Sequence, residues 1–175
     1  KALEIEPNSA VIFHNRGTAF YNLGQFDNAL SDYNKAIQIA TNYANAYNNR
    51  GLVYKQKGNI NKAIEDFSIA IELSKDYASA YNNRGSAYDD IGEYDKAIAD
   101  LEKAVSLNAE YANAYNNLGI SYKNKGLHNK AILNYTKALE LQPKNPTAYF
   151  NRGNAFTNLM EYKKAIKDYD RAIYF

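Results

Sequence analysis

The 175-residue chain has no cysteine, no tryptophan, one methionine, three prolines and two histidines. Without cysteine there is no disulfide, no thiolate metal site and no cysteine nucleophile. No apolar run approaches the length that spans a membrane. Neither sign of charge dominates: 21 Lys and Arg stand against 19 Asp and Glu, for a net +2. The signs are mixed along the chain, which lacks the basic face or stripe of a nucleic-acid binder. No phosphate-binding glycine loop is present. The expected cofactor is none, and the expected partners exclude nucleic acid and membrane. With neither cysteine nor a spanning segment, the cytoplasm is the favoured setting as an expectation.

What the chain does have is asparagine, and tyrosine (17) well ahead of phenylalanine (7). Both recur at fixed places. Gly17, Gly51, Gly85, Gly119 and Gly153 are spaced by 34 residues. Phe13, Tyr47, Tyr81, Tyr115 and Tyr149 precede them by four, and Asn15, Asn49, Asn83, Asn117 and Asn151 by two. Repetition at such a period marks a stacked array, in which each unit touches only its neighbours. With the glycine as position 8, the repeats are 10–43, 44–77, 78–111, 112–145 and a shorter 146–175. Residues 1–9 read as the tail of a preceding repeat, because Ala2-Leu3-Glu4-Ile5-Glu6-Pro7 aligns with Ala138-Leu139-Glu140-Leu141-Gln142-Pro143. Both ends are expected to continue a longer array, and the whole to form one continuous domain.

Steps of three and four between apolar residues predict two amphipathic helices per repeat. Gly24, Gly58, Gly92 and Gly126 are placed to end the first helix in the left-handed conformation. Asp27, Asn61, Asp95 and Asn129 are then expected as N-caps of the second. Met160 and Lys163 break both patterns, so the fifth turn is expected to be less regular. Second helices are expected to end near Ala40, Ser74, Asn108 and Gln142. Gly51 is expected to face Ala63, and Ala70 the following repeat.

With an aromatic at 4, glycine at 8, an aromatic at 11, alanines at 20 and 27 and mostly an aromatic at 24, the chain resembles the tetratricopeptide repeat family over nearly its whole length. It departs in carrying arginine at position 7 in four repeats and proline at 32 in one full repeat. The resemblance implies an all-α fold, a right-handed superhelical solenoid of antiparallel helix pairs. It also implies a concave groove, lined by the first helices, where a protein or peptide partner binds.

Little here carries catalysis, and the chain is expected not to be an enzyme. His14 and His128 lie three repeats apart and cannot share a metal. His128 is expected to pack, and His14 to be solvated on the groove face. The run Asp89, Asp90, Glu93 and Asp95 lacks calcium-loop spacing. Asn134-Tyr135-Thr136 is formally a glycosylation motif, but Tyr135 falls on a core position.

The resemblance puts positions 2, 5, 6, 9, 12 and 13 on the groove. The candidate peptide-binding residues there are Asn15; Asn45, Asn48, Asn49 and Lys55; Asn82, Asn83 and Asp89; Asn113, Asn116, Asn117 and Lys123; and Asn151 and Asn154. A carboxamide both donates and accepts, which suits a peptide bond. The superhelix of the O-linked N-acetylglucosamine transferase is similar in carrying asparagine at position 6. Two readings stand side by side: a ladder that holds an extended backbone, or residues that tie neighbouring repeats together. A carboxylate clamp is not expected, because position 5 has no lysine and position 2 no basic residue. Apart from the scaffold, the chain could be the targeting part of a larger enzyme, such as a glycosyltransferase, or a self-associating structural module.

Two further expectations follow. Ile166, Tyr169, Ile173, Tyr174 and Phe175 are expected to leave an apolar C-terminal face for self-association, with the stub at Ala2, Leu3 and Ile5 as a candidate surface for it. Arginine at 7 and aspartate at 23 are lost together in repeat four (Leu118, Asn134), which predicts the ion pairs Arg16–Asp32, Arg50–Asp66, Arg84–Asp100 and Arg152–Asp168.

Overall fold

The computed structural model describes residues 9–175, and among these are ten helices and no strand. They are α1 (Ala10–Asn22), α2 (Phe26–Ile39), α3 (Ala44–Gln56), α4 (Ile60–Leu73), α5 (Ala78–Asp90), α6 (Tyr94–Leu107), α7 (Ala112–Asn124), α8 (His128–Leu141), α9 (Pro146–Asn158) and α10 (Tyr162–Tyr174). Each repeat contributes one first and one second helix. The stub at Ala2, Leu3 and Ile5 lies outside the described residues.

The glycine turn sets this alternation. Gly24, Gly58, Gly92 and Gly126 have φ between 71° and 81°. In the first turn Gly24 N–H donates to the Tyr21 carbonyl and Gln25 N–H to the Phe20 carbonyl, both at 2.9 Å. This nested pair is a Schellman motif, which closes a helix within two residues. The next helix therefore begins at once, and the expected N-caps are displaced. The capping places fall on Gln25, Asn59, Glu93 and Leu127, none with a side-chain cap bond, while Asp27, Asn61, Asp95 and Asn129 lie inside the first turn. Asp27 instead pairs with Lys57 at 2.6 Å, and Asp95 with Lys125. The fifth turn is as regular as the others. Met160 takes φ 60° and Glu161 N–H reaches the Phe156 carbonyl at 2.9 Å, so the local hydrogen bonds impose a conformation that methionine disfavours. Second helices end as expected, with Ala40, Ser74, Asn108 and Gln142 as their C-caps.

Contacts divide the chain into two units, one ending at Ala87 and the other running from Tyr88 to Phe175. In the first, Ala29, Tyr33 and Val53 form one core cluster, and Ala63, Phe67 and Ala87 another. Ala70 and Ile71 meet Ala80 of the following repeat, as expected of Ala70. In the second unit, Ala97, Leu101, Leu118, Tyr122, Ala131, Tyr135 and Ala155 form one cluster, and Ala138, Leu139 and Ala148 another. The alanines are small enough to bring helix backbones close. The large side chains then supply most of the burial, each contributing roughly 1.5–3 kcal/mol.

At Gly17, Gly51, Gly119 and Gly153 the nearest neighbour of position 8 is the ring at position 24, not the expected alanine at 20. A Cβ on Gly51 would lie 2.7 Å from Phe67 Cε1, and one on Gly119 would lie 2.5 Å from Tyr135 Cε1. Gly17 and Gly153 stand likewise under Tyr33 and Tyr169. The ring at position 24 lies across the gap between the two helices, so the glycine makes room for an aromatic face.

Candidate binding face

First helices carry the expected binding residues, and within each unit their carboxamides bond to one another. In the first unit Asn83 Nδ2 donates to Asn48 Oδ1 (2.9 Å), Asn48 Nδ2 to Asn49 Oδ1 (3.1 Å), and Asn49 Nδ2 meets His14 Nε2 (3.0 Å). His14 Nδ1 then contacts Asn15 Oδ1 at 3.2 Å. An amide nitrogen only donates, so His14 Nε2 accepts and Nδ1 carries the hydrogen. Asn82 Nδ2 donates to Asn83 Oδ1 at 3.3 Å. In the second unit Asn151 Nδ2 donates to Asn116 Oδ1 at 3.2 Å. Position 6 of one repeat thus donates to position 5 of the repeat before it, along adjacent first helices.

This arrangement ties repeats together and still leaves bonding capacity. A carboxamide has two N–H groups and two oxygen lone pairs. Asn83 uses one of each here. Asn48 and Asn82 are buried, Asn49, Asn83, Asn116, Asn117 and Asn151 are half-buried, and Asn15, Asn45 and Asn113 are exposed. Lys55 Nζ donates to Ser86 Oγ at 2.6 Å, and Lys123 is half-buried. Asn154 Oδ1 accepts from the Tyr169 hydroxyl at 2.9 Å. Asp89 is half-buried and accepts from Asn124 Nδ2 at 2.8 Å.

His14 is not the solvated residue the sequence suggests. It packs between the rings of Tyr33 (5.8 Å) and Tyr43 (5.0 Å). Burial lowers its pKa below the ordinary 6.5, against the opposing effect of its bond to Asn15. Burial also raises the phenols of Tyr33 and Tyr43. His128 is half-buried at the start of α8, and Tyr135 of the glycosylation motif is fully buried.

The arginines form forks. Arg16 Nε and Nη2 reach Asp32 at 2.6 Å each; Arg50 reaches Asp66 at 2.8 and 2.7 Å; Arg152 reaches Asp168 at 2.7 and 2.8 Å. The fourth expected pair has Arg84 in one unit and Asp100 in the other. The guanidinium also stacks on its repeat's aromatics: Arg50 lies 5.4 Å from the Tyr47 ring and 5.9 Å from that of Tyr54. The bond to Asp32 raises the Arg16 pKa, and that to Asp66 raises the Arg50 pKa.

A third arginine nitrogen does what the sequence reading missed. Arg50 Nη1 donates to Asn34 Oδ1 (2.7 Å), Arg84 Nη1 to Ser68 Oγ (3.0 Å) and Arg152 Nη1 to Thr136 Oγ1 (3.0 Å). Each acceptor is position 25 of the preceding repeat. The signal was a short polar residue there, Asn34, Ser68 and Thr136, one repeat before each arginine. Where the fourth repeat has Leu118 instead of arginine, position 25 of the third is Glu102. Its Oε1 accepts from the Tyr122 hydroxyl at 2.6 Å. Burial first, and Glu102 second, push that phenol up to about 12.

At the C-terminal end, Ile173 is 84% and Tyr174 77% exposed, and Ile166 and Phe175 are also exposed. Tyr169, expected on this face, is half-buried and bonded to Asn154. A cleft of ≈ 680 Å³ is lined by Pro146, Thr147, Phe150, Asn154, Tyr169, Ala172 and Ile173. No group of metal-binding side chains occurs among the described residues. No described helix is long and apolar enough to cross a membrane.

Family models of the TPR repeat match residues 17–58 and 122–159, and tetratricopeptide repeat models match 42–110 and 146–175. No curated protein matches the sequence. Among solved structures, MamA is 32% identical, with 94% of this chain and 90% of that one covered and a TM-score of 0.79. YrrB, described as a TPR protein with an unusual peptide-binding site, is 24% identical over 98% of this chain and 89% of that one, with a TM-score of 0.75. PilF of Pseudomonas aeruginosa is 21% identical over 94% of this chain and 75% of that one, with a TM-score of 0.87. The last two likenesses bear on fold alone. The matched repeats, the paired helices and the likeness to MamA make the chain an all-α solenoid member of the tetratricopeptide repeat family.

Proposed function

We propose that this chain is a non-enzymatic scaffold whose first helices hold an extended segment of a partner protein through their asparagines. TPR proteins are generally scaffolds that bind protein or peptide partners, and the local chemistry fits that role. The observation that carries the reading is the bonding of positions 5 and 6. Half-buried Asn83 is oriented by its neighbours, and the bonds described use one of its two N–H groups and one of its oxygen lone pairs. Pre-orientation lowers the entropy lost on binding. One net hydrogen bond contributes about 1 kcal/mol, so several must act together. The test uses peptides selected from a random display library on the 175-residue chain. Asn83→Ala with Asn117→Ala should weaken their binding at least tenfold while the helical signal is kept. Unchanged affinity in a folded double variant would count against the reading.

A second reading has its own observation. The exposed Ile166, Ile173 and Tyr174 beside the apolar cleft form a face suited to self-association. Sedimentation across a concentration range should show dimers that Ile173→Asp with Tyr174→Ser removes. A monomer at millimolar concentration would end it.

A further inference from the structure

The position-24 hydroxyls show where the fourth repeat differs. Tyr33 donates to Thr18 Oγ1 at 3.1 Å, and Tyr169 to Asn154 Oδ1 at 2.9 Å. Both acceptors stand at position 9. In the fourth repeat position 9 is Ile120, which offers none. Tyr135 is 0% exposed, and its hydroxyl has no described partner. Oδ1 of Asp89 is also buried without a partner. The other oxygen of that carboxylate accepts from exposed Asn124, a neutral group, at 2.8 Å. Within its own unit, no described cation is recorded in an ion pair with Asp89.

A buried donor or acceptor without a partner costs about 1–3 kcal/mol, and more when charged. Here a phenol and a carboxylate oxygen are left in that state within one unit. Burial and the Asp89 charge both raise the phenol pKa, so its hydrogen stays in place.

Taking the partner-binding reading above as given, we propose that Asp89 and Tyr135 form a subsite for a lysine side chain of the bound segment. The lysine ammonium is compact and has three rotatable donors, whereas guanidinium is a wide planar fork. It donates to Asp89 Oδ1 and to the Tyr135 oxygen, while the phenol keeps its own hydrogen. Exposed Asn124, which is bonded to this carboxylate, swings aside to admit it. The charge of Asp89 is then balanced by the partner. Lys123, at position 12 of the following repeat, would repel a lysine there, so the subsite belongs to one register.

The test is selection of random peptides by display on the 175-residue chain, followed by affinity measurements with synthetic copies of the winners. Selected peptides should share a lysine at one register. Replacing it by norleucine should weaken binding to the unaltered chain about tenfold or more. With Asp89→Asn, which keeps the side-chain shape, the same replacement should change affinity less than twofold. Tyr135→Phe should weaken the lysine peptide about threefold and leave the norleucine peptide unaffected. Melting curves for each variant check the fold, and the peptide comparison on the unaltered chain needs no variant. Selected peptides without a common lysine, or an equal norleucine effect in the chain with and without Asp89, would overturn the subsite and leave the scaffold reading intact. If nothing is enriched over bare support, both fall.

Discussion

Arg50 and Asp66 show how much one residue carries in this chain. The Asp66 side chain is 5% exposed and that of Arg50 18%, so removing the carboxylate leaves a largely buried guanidinium short of its partner. Breaking a buried pair costs roughly 3–5 kcal/mol. Asp66→Ala should lower the urea midpoint accordingly, and adding Arg50→Leu should restore much of the loss. The fourth repeat already uses that solution, with Leu118 3% exposed at the same position. No recovery in the double variant would refute the pairing. Met160 gives a prediction of opposite sign. It is 76% exposed with φ 60°, so Met160→Gly gives up little burial and relieves a conformation costing about 1–2 kcal/mol. Glycine's greater unfolded entropy offsets part of this, leaving an expected gain of about 1 kcal/mol, read as a higher melting temperature. His14 predicts a pH effect. Burial lowers its folded pKa, so the unfolded chain binds the proton more readily. Its share of stability is whole above the ordinary 6.5 and is lost as the pH falls from there through the folded value. Comparing urea midpoints at neutral pH and below 6 should show a decline that His14→Gln reduces.

At the scale of the helix, the glycine at position 8 and the ring at position 24 act as one device. A methyl group on Gly119 would press on Tyr135 at 2.5 Å, and the ring, fully buried, has little room to yield. Overpacking of this kind costs about 1–3 kcal/mol. Gly119→Ala should therefore destabilise, and amide exchange should quicken first in α7 and α8; unaltered exchange there would argue against the device. Both helices of each repeat were legible in the sequence, because apolar spacing and the turn glycine act locally. The ion pairs Arg16–Asp32, Arg50–Asp66 and Arg152–Asp168 were legible too, through the joint change at Leu118 and Asn134. The N-caps were not, because a Schellman turn and an ordinary capped turn share the same glycine. Nor was the partner of Gly51, since periodicity says which residues are buried but not which ring lies across which backbone. The arginine bond to position 25 and the burial of His14 depend on stacking between repeats, which lies beyond the window of a helical pattern.

Over the whole molecule, each unit applies the same rule: position 6 of one repeat bonds position 5 of the repeat before. Sequence alone placed asparagine on these helices but left open whether it ties repeats or meets a partner. The bonds seen among Asn48, Asn49 and Asn83, and between Asn116 and Asn151, account for the first role. The capacity left over supports the proposal of the second. The most direct test is the side-chain amide region of the proton–nitrogen NMR spectrum as a selected peptide is added to saturation. Resonances of Asn49, Asn83, Asn117 and Asn151 should shift together, while those of Asn42 and Asn61, exposed and off this face, stay in place. Shifts confined to the C-terminal residues around Ile173, with the asparagine signals unmoved, would contradict the account.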